Sequence, residues 1–289
     1  MKTVGGFTSE RAQAKFLAAY EQALDRCWPG RTVRDVPTAY GRTRVHLAGP
    51  EDGVPVLLLP GAGGNSLMWH RYVGELGRDR RVIAVDPVGE PGGSTQDRPI
   101  EGAADLCRWL DEVVEGLGGL GPVDILGCSY GGWTAMRYAA HRPAAVRSLT
   151  LLDPAGFGKV GGRFLAWVIV GGLAGLLPRP LRHRAAGWLH NATLRDDDVM
   201  GLAGAMMGFR RRLPVPPAMT DDELRAVTVP ALVLLGERSQ LYDAAAVADR
   251  LRALTGMAVE VVPDAGHDLP MRCPELVLDR MAARHAEIG

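Results

Sequence analysis

Val123-Asp124-Ile125-Leu126-Gly127-Cys128-Ser129-Tyr130-Gly131-Gly132 carries an apolar strand into a single serine held between glycines, and a helical stretch follows it. That is G-x-S-x-G between a strand and a helix. A serine hydroxyl is a weak nucleophile unless a strained, exposed turn holds it within reach of a base, and such a turn accepts only very small neighbours. Gly127 and Gly131 meet that demand. The helix expected over Tyr130 to His141, ending before Pro143, aims its N-terminus at Ser129, where free N–H groups favour developing negative charge. The competing reading is a glycine-softened turn with an incidental serine.

Strands and helices alternate on both sides of this turn. Ser9 to Trp28 reads as an amphipathic helix with Phe16, Tyr20, Ala23 and Cys27 at helical spacing, closed by Pro29-Gly30. Extended segments follow at Thr32 to Val36 and Thr43 to Leu47, then Pro55 to Leu59, apolar enough for a strand buried on both faces. Strands are expected at Arg81 to Val85, Val123 to Leu126, Val146 to Leu152, Ala231 to Leu235 and Ala258 to Val262. Helices fit Gly102 to Leu117, Ala244 to Leu254 and Pro274 to Glu287. This alternation implies an α/β fold with a mostly parallel sheet covered on both faces.

Between Ala155 and Thr220 the alternation stops. The segment is rich in Gly, Trp, Met and Arg, apolar in patches and without strand character. It reads as a helical lid whose apolar patches wall a substrate pocket, or as a helical subdomain packed on the sheet. Arg210-Arg211-Arg212 could orient an acidic substrate group, although such clusters are more often a solvated face.

With 289 residues the chain can form one large domain or a domain with an insertion. Its 33 basic and 33 acidic residues give zero formal charge, and no long run of either sign argues for nucleic acid or an anionic membrane as the main partner. Small, neutral or weakly charged ligands fit better. Met1 to Glu10 lacks a basic stretch followed by an apolar one, so no secretory signal is expected. Cys27, Cys107, Cys128 and Cys273 show no C-x-x-C spacing, which suits a reducing cytoplasm and offers no zinc site. The glycine-broken apolar run Phe164 to Leu177 is shorter than the ~20 residues a bilayer span takes. No G-x-G-x-x-G opens a helix after the first strand and no metal-ligand spacing occurs, so no cofactor is expected.

Four features together resemble the α/β-hydrolase fold, in particular its lid-bearing carboxylesterase-like members. They are Pro60-Gly61-Ala62-Gly63-Gly64 after a strand, the G-x-S-x-G turn, the inserted segment, and Asp264-Ala265-Gly266-His267 near the C-terminus. The resemblance covers nearly the whole chain. It implies an eight-stranded-type sheet, a core of residues 1–154 and 221–289 with the N-terminal helix 9–28, and a helical lid of residues 155–220. It also implies nucleophile, acid and base in that chain order, which Ser129 and His267 respect. His267 lies in the loop after Ala258 to Val262, at a strand C-terminal end where α/β sheets place their sites. His46, His70, His141, His183, His190 and His285 are assigned no catalytic role. The Tyr130 N–H, next to the nucleophile, supplies one oxyanion donor, and the resemblance makes the Ala62 N–H the second. Many relatives carry a histidine where this chain has Pro60.

The acid is where the chain departs from the pattern. Relatives place Asp or Glu at the position held here by Ser239, within Gly236-Glu237-Arg238-Ser239. Asp153, at the end of the strand Val146 to Leu152, is the relocated candidate, since some relatives carry their acid there; Asp153-Pro154 is equally a common turn opener. Asp243 fits the N-cap of the helix from Ala244, Glu237 points aside, and Asp264 and Asp268 flank His267 too closely to reach its far nitrogen. The leading expectation is a serine hydrolase cleaving a small carboxylic ester or thioester through an acyl-enzyme on Ser129. A Ser–His lyase or acyltransferase on a dedicated metabolite is the alternative that the missing acid and the glycine- and tryptophan-rich insertion suggest. A ligand-binding protein on a hydrolase scaffold is the third.

Overall fold

The structure, a computed structural model, describes residues 4–288. The chain opens with β1 (Gly6–Phe7) and α1 (Glu10–Cys27), then β2 (Thr32–Thr38), β3 (Gly41–Ala48), β4 (Val54–Leu59), α2 (Val73–Leu76) and β5 (Arg80–Asp86). Next come α3 (Ala103–Gly116), β6 (Val123–Cys128), α4 (Tyr130–His141) and β7 (Val146–Leu152). The inserted segment holds α5 (Gly162–Gly175), α6 (Arg179–Trp188), α7 (Asp197–Met200), α8 (Ala203–Met206) and β8 (Phe209–Arg210). The chain then runs through α9 (Asp221–Arg225), β9 (Ala231–Gly236), α10 (Ala244–Leu254), β10 (Ala258–Val262), α11 (Leu269–Arg272) and α12 (Pro274–Ile288).

Eight strands form one sheet in the order β10-β9-β7-β6-β4-β5-β3-β2. Only β3 runs against the rest, pairing antiparallel with both β2 and β5. The expected mostly parallel, eight-stranded sheet is borne out. Successive strand residues divide between two cores: Leu57, Leu59, Ile83 and Val85 pack on one face with Trp109, Trp133 and Leu251. Val56, Leu58, Val82 and Ala84 pack on the other with Phe16, Tyr20 and Val277. Burial on both faces explains why these strands read as continuous apolar runs, each large side chain contributing ~1.5–3 kcal/mol.

The N-terminal helix is held by sequence-local and tertiary features together. Ser9 caps it by accepting from Ala12 N, Glu10 and Arg26 complement the dipole at its two ends, and Phe16, Tyr20, Ala23 and Leu24 form its buried stripe. Ser9 and Trp28, read above as helical, are its caps.

The inserted segment corrects one expectation. It is not free of strand: Phe209–Arg210 pairs antiparallel with Gly6–Phe7, tying the insertion to the start of the described chain. No helix among the described residues is long and apolar enough to cross a membrane.

Candidate active site

Parallel strands deliver their C-terminal ends to one edge of the sheet, and the residues singled out above gather there. β4 leads into Gly61–Gly64, β6 into Ser129, β7 into Asp153, β9 into Ser239 and β10 into His267. Ser129 sits at φ 50°, ψ −113°, a backbone conformation that costs a non-glycine residue ~1–3 kcal/mol. Neighbouring contacts impose it. Ser129 N donates to Leu152 O at 3.1 Å, while Ser129 O accepts from Trp133 N and Ala155 N, each at 3.0 Å. A Cβ at Gly131 would lie 2.1 Å from Leu59 O, and one at Gly127 would lie 2.8 Å from Gly131 O, so both flanking positions demand glycine by close approach.

The Ser129 hydroxyl lies 3.0 Å from His267 Nε2, and His267 Nδ1 lies 2.6 Å from Asp153 Oδ2. A carboxylate can only accept, so Nδ1 carries the proton toward Asp153 and Nε2 is left to accept from the serine. Asp153 is fully buried. Its charge is compensated by three further donors: Gly236 N at 3.0 Å, the Ser239 hydroxyl at 2.7 Å and the Tyr242 hydroxyl at 3.2 Å. Burial, together with the charge of Asp153, pushes the Tyr242 phenol well above its ordinary range, so it stays a neutral donor. Ser239 and Tyr242 were not anticipated in these roles. A hydroxyl at the usual acid position, one loop away from a buried aspartate, was the available signal.

The other carboxylates are engaged elsewhere. Asp243 caps α10 by accepting from Ala246 N. Glu237 accepts from Asp264 N, and Asp264 pairs with Arg238. Asp268 accepts from Ala192 N and Gly266 N.

Around the serine, Gly61 comes so close that a Cβ there would lie 3.3 Å from Ser129 Cβ, which brings the Gly61–Gly64 loop against the nucleophile candidate. That loop is held by Glu90, a residue with no signal in the sequence. One Glu90 oxygen accepts from Gly63 N at 3.0 Å and the other from Arg211 Nε at 2.7 Å. Burial raises the Glu90 carboxyl to about 7, against the opposing pull of Arg211 and the Gly63 N–H. Arg211 also stacks 4.6 Å over the Tyr130 ring, so this member of the arginine cluster is an internal tie and not a solvated face.

In front of the serine opens a cavity of about 750 Å³ lined by Met68, Phe164, Trp167, Ile169, Met200 and Met206 among others. Phe164 and Trp167 of α5 meet the His267 ring edge to face, with centroids 5.0 and 5.9 Å away. Asn191 is a buried polar residue on the wall, and its Oδ1 has no hydrogen-bond partner. Among the described residues no His, Cys, Asp or Glu group is arranged to hold a metal ion.

Comparison with known proteins agrees with this architecture. Residues 56–280 match the alpha/beta hydrolase family. The chain is 30% identical to the Bacillus subtilis uncharacterized carboxylesterase nap, over 95% of this chain and 94% of that protein. It is 28% identical to carboxylesterase YbfK of the same organism, over 95% of each. The crystal structure of naproxen esterase (carboxylesterase NP) from Bacillus subtilis superimposes with a TM-score of 0.83 at 27% identity, covering 96% of this chain and 99% of that one.

Proposed function

The chain belongs to the alpha/beta hydrolase family, and from that premise we propose that it is a serine carboxylesterase acting on esters with a bulky apolar acyl group. The observation that carries this reading is the Ser129–His267–Asp153 relay, at 3.0 and 2.6 Å, facing a large apolar cavity. Its resemblance to proteins named carboxylesterases supports it.

In this reading the Ser129 oxygen attacks the ester carbonyl carbon as its proton passes to His267 Nε2. The carbonyl π-electrons move onto the oxygen, which the Ala62 and Tyr130 N–H groups receive. Collapse expels the alkoxide, which takes the proton from His267 and leaves as the alcohol. Water then attacks the acyl-enzyme with His267 again as base, releasing the acid and restoring the serine. Asp153 fixes the imidazole tautomer and stabilises the imidazolium in each half-reaction. The segment 155–220 roofs the cavity through α5, which fits the role of a lid. The lyase or transferase alternative drew on the lack of an acid at position 239 and on the glycine- and tryptophan-rich insertion; the Asp153 carboxylate beside His267 favours the hydrolase reading on the first of these. All four cysteines are free thiols, which fits a reducing compartment such as the cytoplasm.

A series of p-nitrophenyl esters with lengthening acyl chains tests the proposal. The expected result is hydrolysis whose kcat/KM climbs about threefold to fourfold per methylene until the chain meets the cavity wall, as ~0.8 kcal/mol per buried methylene predicts. No turnover of any member, or turnover that survives Ser129→Ala, overturns it.

A further inference from the structure

We propose that the face built by α5 and α6 docks on an anionic lipid surface. Along residues 154–195 the chain carries six lysines and arginines, Lys159, Arg163, Arg179, Arg182, Arg184 and Arg195, and no aspartate or glutamate, although the whole chain is formally neutral. Asp197 takes up Arg179 and Arg182, and the Arg163 guanidinium donates to Ser239 O. Lys159, Arg184 and Arg195 meet no carboxylate in ion-pair contact among the described residues, so the segment keeps a local positive field.

The same segment exposes large apolar side chains that a water-facing surface does not ordinarily group together. Leu165, Ile169 and Leu173 are each more than half exposed on α5, and Leu181 and Trp188 are exposed on α6, with Trp188 at 78%. Leu181, Arg184 and Trp188 stand at i, i+3 and i+7, which sets them on one side of α6. An apolar face with a tryptophan and interspersed cations is the composition that lies in the headgroup region of a bilayer, its apolar groups among the acyl chains and its cations among phosphates. Leu165, Ile169 and Leu173 also line the cavity, so α5 contributes both to its wall and to the exposed surface. A docked molecule would draw apolar ligand from the lipid phase without passing it through water. A second copy of the chain is the poorer occupant, because a two-fold contact would set the unpaired cations against their own images.

Co-sedimentation of the full chain with vesicles tests this, using phosphatidylcholine alone and phosphatidylcholine mixed with phosphatidylglycerol at about two to one. Recovery with the anionic vesicles is expected, weakened severalfold or more when salt rises from about 0.1 to about 0.5 M. Arg184→Gln is expected to lower partitioning about fivefold, and Leu181→Gln with Trp188→Gln more than that. None of these three positions lines the cavity, so hydrolysis of a water-soluble short-chain ester stays at the wild-type rate in each variant. Equal recovery in the supernatant with and without anionic vesicles overturns the proposal. So does a concentration-dependent dimer in sedimentation velocity that disappears in Trp188→Gln.

Discussion

At 2.7 Å from Asp153 Oδ2, the Ser239 hydroxyl donates to a carboxylate that has no contact with water. Hydrogen bonds to a buried charge contribute ~1.5–3 kcal/mol, so in the proposed mechanism Ser239 works through Asp153, fixing the position of its carboxylate toward His267. Asp153→Asn is expected to lower kcat on an activated ester about ten-thousandfold, since the imidazolium loses its counter-charge and the tautomer is no longer fixed. Ser239→Asp in that background is expected to return part of the loss. By itself, Ser239→Asp sets two carboxylates side by side that must share a proton, and so lowers activity. Steady-state kinetics on the four proteins checks the set. Glu90 offers a stability test with a defined sign. Its folded pKa of about 7 lies above the ordinary 4.5, so folding favours its protonated form: the stabilisation is full below pH 4.5 and is lost as pH rises through 7. Glu90→Gln removes that dependence. Its stability relative to wild type should therefore rise by about 3 kcal/mol between pH 4.5 and 7.5, measured by urea unfolding at both pH values.

Elements with a strong local signal were legible from the sequence to within a residue or two. α4 and β7 lie where the pattern put them, because strand burial on both faces and a helix ending at Arg142-Pro143 leave few alternatives. β8 escaped notice because two residues carry no periodicity, and its partner Gly6–Phe7 is some two hundred residues away in the chain. α2 and α11, at four residues each, are likewise set by tertiary packing and not by propensity. The junction of β6 with α4 shows how tightly these elements constrain one another. Gly131→Ala would drive a methyl into Leu59 O and force α4 off β4, so loss of soluble protein or a large drop in Tm is expected, measured by thermal denaturation. Asp153 was recognisable as a strand-end carboxylate, but a turn-opening Asp-Pro has the same sequence. Only the approach of the β7, β9 and β10 ends separates the two readings.

Across the fold as a whole, long-range assembly decides what sequence order cannot. The relay draws Ser129, Asp153 and His267 from three strand ends, with up to 138 residues between hydrogen-bonded partners. The zero formal charge concealed a segregated cationic stretch between residues 154 and 195, because a sum over the chain carries no information about where charges stand. The Glu90–Arg211 tie likewise joins the Gly61–Gly64 loop to the inserted segment across 121 residues, a link with no sequence signature. In the proposed mechanism the relay contacts converge on one hydroxyl, that of Ser129. Mass spectrometry of the intact protein after a fluorophosphonate probe, run on wild type, Ser129→Ala and Asp153→Asn, is therefore the decisive test of the proposed relay. A Ser129–His267–Asp153 relay gives one adduct on wild type, none on Ser129→Ala, and labelling slowed by orders of magnitude in Asp153→Asn. Labelling that persists in Ser129→Ala, or proceeds at the wild-type rate in Asp153→Asn, contradicts it.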